Sequence, residues 1–119
     1  MGAGQILAHL VGDYLLQSEW MARGKTKHWG PALAHGACYT LPFLLLTHSW
    51  WRLAIIGGSH IAIDRWRLSY CVAWASNFLA PKKDWPSKKT LWGLDPSSWL
   101  RVVIDNTVHL LINAIALAI

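Results

Sequence analysis

The sequence predicts an all-α fold: an integral membrane bundle of four transmembrane helices plus one interfacial amphipathic helix. Three observations carry this expectation. The 119-residue chain is 54% hydrophobic and only 14% charged, against roughly 25% charged for an average soluble domain. Its apolar residues gather into four stretches, each near the ~20 residues needed to cross a hydrocarbon core. Six of its nine tryptophans, at 20, 29, 50, 51, 66 and 99, stand at the ends of those stretches, as in the aromatic belts of membrane proteins.

The first span is expected over residues 3–22. Ile6, Leu7, Leu10, Val11, Tyr14 and Leu15 leave a polar stripe at 9, 13 and 17, and Arg23-Gly24-Lys25 supplies the stop. The second runs over 31–47, with Pro31 suited to a first helical turn and Pro42 tolerated if neighbouring helices cover the freed carbonyl. The third spans 50–66, where Gly57, Gly58 and Ser59 allow close helix approach. The fourth spans 99–119 and starts after Pro96-Ser97-Ser98. Between the last two, 68–79 is apolar enough to lie along an interface. The proline- and lysine-bearing stretch 80–98 reads as a basic cytoplasmic loop. The length allows a single polytopic domain, 1–119, and no signal-peptide pattern precedes the first helix.

With the loop after the first span placed inside, ten of the eleven Lys and Arg residues lie on the cytoplasmic side and only Arg52 lies outside. That asymmetry predicts a multi-pass protein of the cell inner (cytoplasmic) membrane with both termini outside the cytoplasm. It also accounts for the net charge of +5 by topology and anionic lipid. The partners expected are therefore membrane lipid and a second copy of the chain in a homo-oligomer, and nucleic acid is not expected. Cys38 and Cys71 lack a C-x-x-C spacing and read as free, buried thiols.

The chemistry is concentrated in three pairs: His9 with Asp13, His60 with Asp64, and Asp105 with His109. Residues four apart share a helix face, so each pair presents one nitrogen and one carboxylate ligand. Gln17 and Asn113 extend two of the pairs by a turn. With a helical rise of ~1.5 Å per residue, Asp13, Gln17, His35, His60, Asp105 and His109 fall in one layer, roughly 8 to 15 Å from the cytoplasmic ends. On the same measure His9 lies deeper and Asp64 nearer the surface. Imidazole and carboxylate together suit a divalent metal ion, zinc first and manganese or iron as alternatives. The expected metal ligands are His9, Asp13, His60, Asp64, Asp105 and His109, with Gln17, His35, Asn106 and Asn113 as accessory groups. Zinc with three protein ligands makes a water acidic enough for hydrolysis near neutral pH. Without a metal the same groups form a proton relay, or a structural network in which each histidine bonds to its own carboxylate.

The run His9-Leu-Val-Gly-Asp13-Tyr-Leu-Leu-Gln17, with His35, His60-Ile-Ala-Ile-Asp64-Arg65 and Asp105-Asn106-Thr-Val-His109, resembles a family of small bacterial and phage membrane proteins, domain of unknown function 3307. The likeness covers nearly the whole chain, implies a membrane location and marks the same residues, without supplying an activity. The expected function is an intramembrane His/Asp metal centre, with metal-dependent hydrolysis of a lipid or lipid-linked substrate. The alternative is a non-enzymatic small channel, transporter or phage-encoded membrane effector acting by assembly.

Overall fold

The computed structural model describes residues 2–84 and 99–119, whose regular elements are all helical, with no strand among them. Helix α1 (Ala3–Leu10) runs into a π-helical stretch, Val11–Leu15, and the chain then leaves helical geometry at Leu16. A separate α2 (Glu19–Gly24) starts from Ser18, whose Oγ accepts from the Met21 amide at 3.3 Å, the usual N-cap bond. Helix α3 (Trp29–Thr40) tightens into a 3₁₀ stretch, Leu41–Leu45. Helix α4 (Trp50–Trp66) meets α5 (Leu68–Ala75) through Arg67, followed by 3₁₀ turns at Ser76–Leu79 and Lys82–Asp84. Helix α6 (Trp99–Ala118) closes the fold.

The helical class stands, but the bundle of four transmembrane helices is corrected. Among the described residues one helix is long and apolar enough to cross a membrane, over Arg101–Ala118. The first expected span fails because its helical run, eight α-helical residues followed by five π-helical ones, ends at Leu16, and Ser18 caps a separate helix. The second is cut by Pro42, which has no N–H for the helical ladder, so α-helix ends at Thr40. The third forms as one helix of 17 residues, but Arg52, His60, Asp64 and Arg65 interrupt its apolar character. The interfacial stretch 68–79 splits into α5 and a 3₁₀ turn, and α5 packs against α6 with Ser69 and Ala73 buried. Most of the basic loop, from 85 on, lies outside the described residues. Cys38 and Cys71 are free, as expected, but neither is buried: Cys38 is half-buried and Cys71 exposed.

Packing is tightest between α3 and α4. A Cβ at Gly36 would collide with Ile61, and one at Gly57 would lie 2.5 Å from Thr40 Oγ1, so the two backbones approach as only small residues permit. Among the described residues the central apolar cluster is small: Ala8, Tyr39, Phe43, Ile56 and Ala116. Four of the largest fully buried side chains are histidines, His9, His35, His60 and His109. Buried polar groups are tolerated only with partners, so this interior is organised around a polar network.

Candidate metal centre

The functional side chains reach the interior from four elements. Asp13 sits in the π-helical stretch, His35 on α3, His60 and Asp64 one turn apart on α4, and Asp105 and His109 one turn apart on α6. The close α3–α4 approach brings His35 Nε2 within 2.8 Å of His60 Nε2. Asp13 Oδ1 lies 3.2 Å from His35 Nε2 and 3.7 Å from His60 Nε2. Asp64 Oδ2 lies 3.4 and 3.2 Å from the same two nitrogens. These four residues are all buried.

A tetrahedral ion with bonds of about 2.0–2.1 Å spaces its ligand atoms about 3.3–3.4 Å apart. The measured separations, 2.8 to 3.7 Å, bracket that value. Two imidazoles and two carboxylates are also a donor set that divalent zinc, manganese or iron accepts. The residues therefore fit a metal ion.

Asp64 serves a second group as well. Its other oxygen, Oδ1, lies 3.3 Å from His109 Nε2, which is 3.6 Å from Asp105 Oδ2. Asp64, Asp105 and His109 thus form a second cluster able to hold a metal, with the Asp64 carboxylate turned one oxygen to each. Asp64 Oδ2 and His109 Nε2 are buried without a well-aligned hydrogen bond, although both lie within ion-pair distance of neighbours. Such atoms are costly to bury unless something completes their coordination.

His9 stands apart from both groups. Asn106 Nδ2 donates to Val102 O and to the Tyr14 hydroxyl, each at 2.7 Å, which turns its Oδ1 toward His9 Nε2 at 2.6 Å. That nitrogen therefore carries the proton, and His9 Nδ1 accepts from the Tyr39 hydroxyl at 2.7 Å. Tyr39 in turn accepts from Asn113 Nδ2 at 2.7 Å. Both nitrogens of His9 are thus engaged in holding Tyr39, whose ring stacks on His60 at 3.6 Å and 7°. His9, Asn106 and Asn113 form a layer that positions a ligand, while His35, expected as an accessory, stands in the first group. Gln17 lines the cavity described below.

Lys25 is the residue that sequence reasoning missed. It follows α2 directly, and its Nζ lies 2.8 Å from Asp64 Oδ2 and 3.9 Å from Asp13 Oδ1. Nothing local to Gly24-Lys25-Thr26 distinguishes it from a topogenic lysine. Burial alone would raise the pKa of Asp13, but its bond with His35 and the Lys25 charge hold it below the ordinary value. Asp64 is likewise burdened by burial and held far lower by the histidines around it. Burial pushes His60 down to about 4. Two ionised carboxylates and a neutral His60 suit metal binding, whereas Asp13 and Asp64 raise His35, so any proton held there must leave as a metal binds.

A match to the family model described as protein of unknown function (DUF3307) covers residues 3–119. The chain belongs to the DUF3307 family. No curated protein and no solved structure matches it. In this DUF3307 protein the cluster adjoins a cavity of about 520 Å³, which opens on the side of Asp13, Asp64 and Asp105. A volume of that size suits a small-molecule substrate.

Proposed function

We propose that this DUF3307 protein holds a divalent metal ion, zinc first, between Asp13, His35, His60 and Asp64, and uses it to hydrolyse a lipid or lipid-linked substrate. Asp64, Asp105 and His109 offer a second, adjoining position that shares Asp64. The observation that carries this reading is the gathering of four buried ligand atoms, five of whose separations are 2.8 to 3.7 Å, beside an open cavity. When bound, the metal would supply Lewis acidity and lower the pKa of a water toward neutrality.

The chain's own residues set the conditions for that chemistry. Lys25 stays charged, because Asp64 and Asp13 outweigh the effect of its burial, and it offsets the negative charge of the two carboxylates. Tyr39, fixed by His9 and Asn113, holds the His60 ring against its face. A lipid-linked substrate is supported by the surface: Leu15, Leu45, Trp50 and Leu79 are each more than three-quarters exposed. Apolar side chains displayed in such number mark a surface that meets lipid or a partner.

Elemental analysis of detergent-purified protein tests the reading. One to two equivalents of metal per chain are expected. Background metal in the wild type, even after supplementation with zinc, manganese and iron, would remove it.

A further inference from the structure

A second cavity, of about 380 Å³, lies at the other end of α4 and α6. Arg52 lines it, whereas Asp64 lines the cavity of the metal centre, and twelve residues of α4 put about 18 Å between the two. Its walls are largely apolar, with Leu46, Ala114, Leu117 and Ala118 among them. Two polar side chains also reach it. Gln5 is buried and its Nε2 donates to Leu110 O at 2.7 Å, which ties that amide to α6. Arg52 supplies the charge.

Arg52 has no counter-ion at hand. The stretches that line this cavity, 2–12, 41–56 and 110–119, contain no Asp or Glu, and Arg52 is their sole Lys or Arg. Among the described residues its Nε is buried with no hydrogen-bond partner. The guanidinium carbon lies 5.2 Å over the Trp51 ring, and a cation–π contact of this kind consumes none of the five N–H donors. A half-buried guanidinium left unsatisfied in an apolar cavity is costly unless an anion completes it.

We infer that this cavity binds a monocarboxylate with an apolar tail, a fatty acid, its head on Arg52 and its chain along Leu46, Ala114, Leu117 and Ala118. The paired N–H donors of one guanidinium match the two oxygens of a carboxylate. One isolated cation balances a monoanion. A phosphate monoester brings nearly two charges and finds no second Lys or Arg in these stretches. The apolar walls suit a hydrocarbon tail, and the volume falls within the range of about 300–1,000 Å³ that small ligands occupy. Leu45 and Trp50, close in sequence to Leu46 and Arg52, are 89% and 79% exposed, so apolar surface continues on the same stretches. The site is separate from the metal centre and does not depend on the hydrolytic reading.

Equilibrium dialysis of the full chain against radiolabelled dodecanoate, below its micellar concentration, tests the inference. Dodecan-1-ol and acetate report the tail and the head alone. Wild type should take up one equivalent of dodecanoate saturably, about tenfold more tightly than either control. Arg52→Gln should bind dodecanoate no better than dodecan-1-ol. Arg52→Lys keeps the charge but loses the fork, so it should fall between the two. Ala118→Trp adds bulk at an exposed position on the cavity wall, so it should fold normally and weaken dodecanoate and dodecan-1-ol alike. Helical content and bound metal should match wild type in every variant. Dodecanoate bound by Arg52→Gln as tightly as by wild type would overturn the inference, as would no saturable uptake by wild type. If Arg52→Gln fails to fold, wild-type binding in both Arg52→Lys and Ala118→Trp overturns it instead. Dodecyl phosphate bound more tightly than dodecanoate would overturn the carboxylate assignment. Background metal with dodecanoate binding intact would remove the metal reading and leave this site standing.

Discussion

Replacing Asp64 with asparagine should disable both halves of the centre at once. The substitution keeps shape and removes charge. It takes the anionic oxygen from 3.2 Å beside His60 Nε2 and 3.4 Å beside His35 Nε2 on one side, and from 3.3 Å beside His109 Nε2 on the other. Asp13→Asn reaches only the first group and Asp105→Asn only the second. In a protein loaded at both positions, Asp64→Asn should therefore empty both, and the other two should each remove about half of the metal. The metal-free protein is affected too, because Lys25 loses its partner at 2.8 Å. Breaking a buried pair costs roughly 3–5 kcal/mol. Lys25 keeps 18% of its side chain exposed and retains Asp13 at 3.9 Å, so about 2–3 kcal/mol is expected. Elemental analysis gives the first quantity and chemical denaturation of the metal-free protein the second. Wild-type metal in either group of Asp64→Asn would refute the shared carboxylate. Complete loss in both Asp13→Asn and Asp105→Asn would instead collapse the two positions into one.

The sequence made the helices and their polar stripes readable but not how the helices break. Hydropathy sees the run 3–22 as continuous, whereas Ser18 caps a new helix and Gly12 lets the π-helical stretch press against Tyr39. A Cβ at Gly12 would lie 2.7 Å from Tyr39 O. Pro42 shortens the second stretch for the local reason that proline lacks an N–H. The i,i+4 spacing reached Asp13, His60, Asp64, Asp105 and His109, since same-face neighbours are a local property, but it also picked His9, which stands outside both groups, and left His35 as an accessory. Their mutual arrangement was not local. A depth count placed Asp64 near the surface, yet the α3–α4 approach at Gly36 and Gly57 puts it at the meeting point of both groups. The count likewise could not see that Asn106, 97 residues away, engages His9 Nε2. Lys25 was hidden because its partners lie on the π-helical stretch and on α4, far from it in sequence.

Three further outcomes follow from the same geometry. Metal binding should weaken as the solution is acidified from about pH 8 to pH 5, because bound metal requires neutral imidazole. Burial opposes protonation of His35 and His109, but the carboxylates beside them outweigh it, raising His35 and lifting His109 to about 9, so protons compete at these two, while His60, pushed down to about 4, stays neutral. Metal content after dialysis across that range checks this, and a flat profile would contradict it. Gly36→Ala should lower stability by about 1–3 kcal/mol, the usual cost of overpacking, since its Cβ meets Ile61; an unchanged denaturation midpoint would show that the helices can part freely. Tyr39→Phe separates the positioning layer from the ligands. It keeps the ring that stacks on His60 and deletes the hydroxyl shared by His9 Nδ1 and Asn113 Nδ2. A buried donor and a buried acceptor then lack partners, at roughly 1–3 kcal/mol each. Because the ring still braces His60, stability should fall while bound metal stays near the wild-type level. Metal loss as complete as in His60→Ala would mean that the hydroxyl belongs to the centre itself.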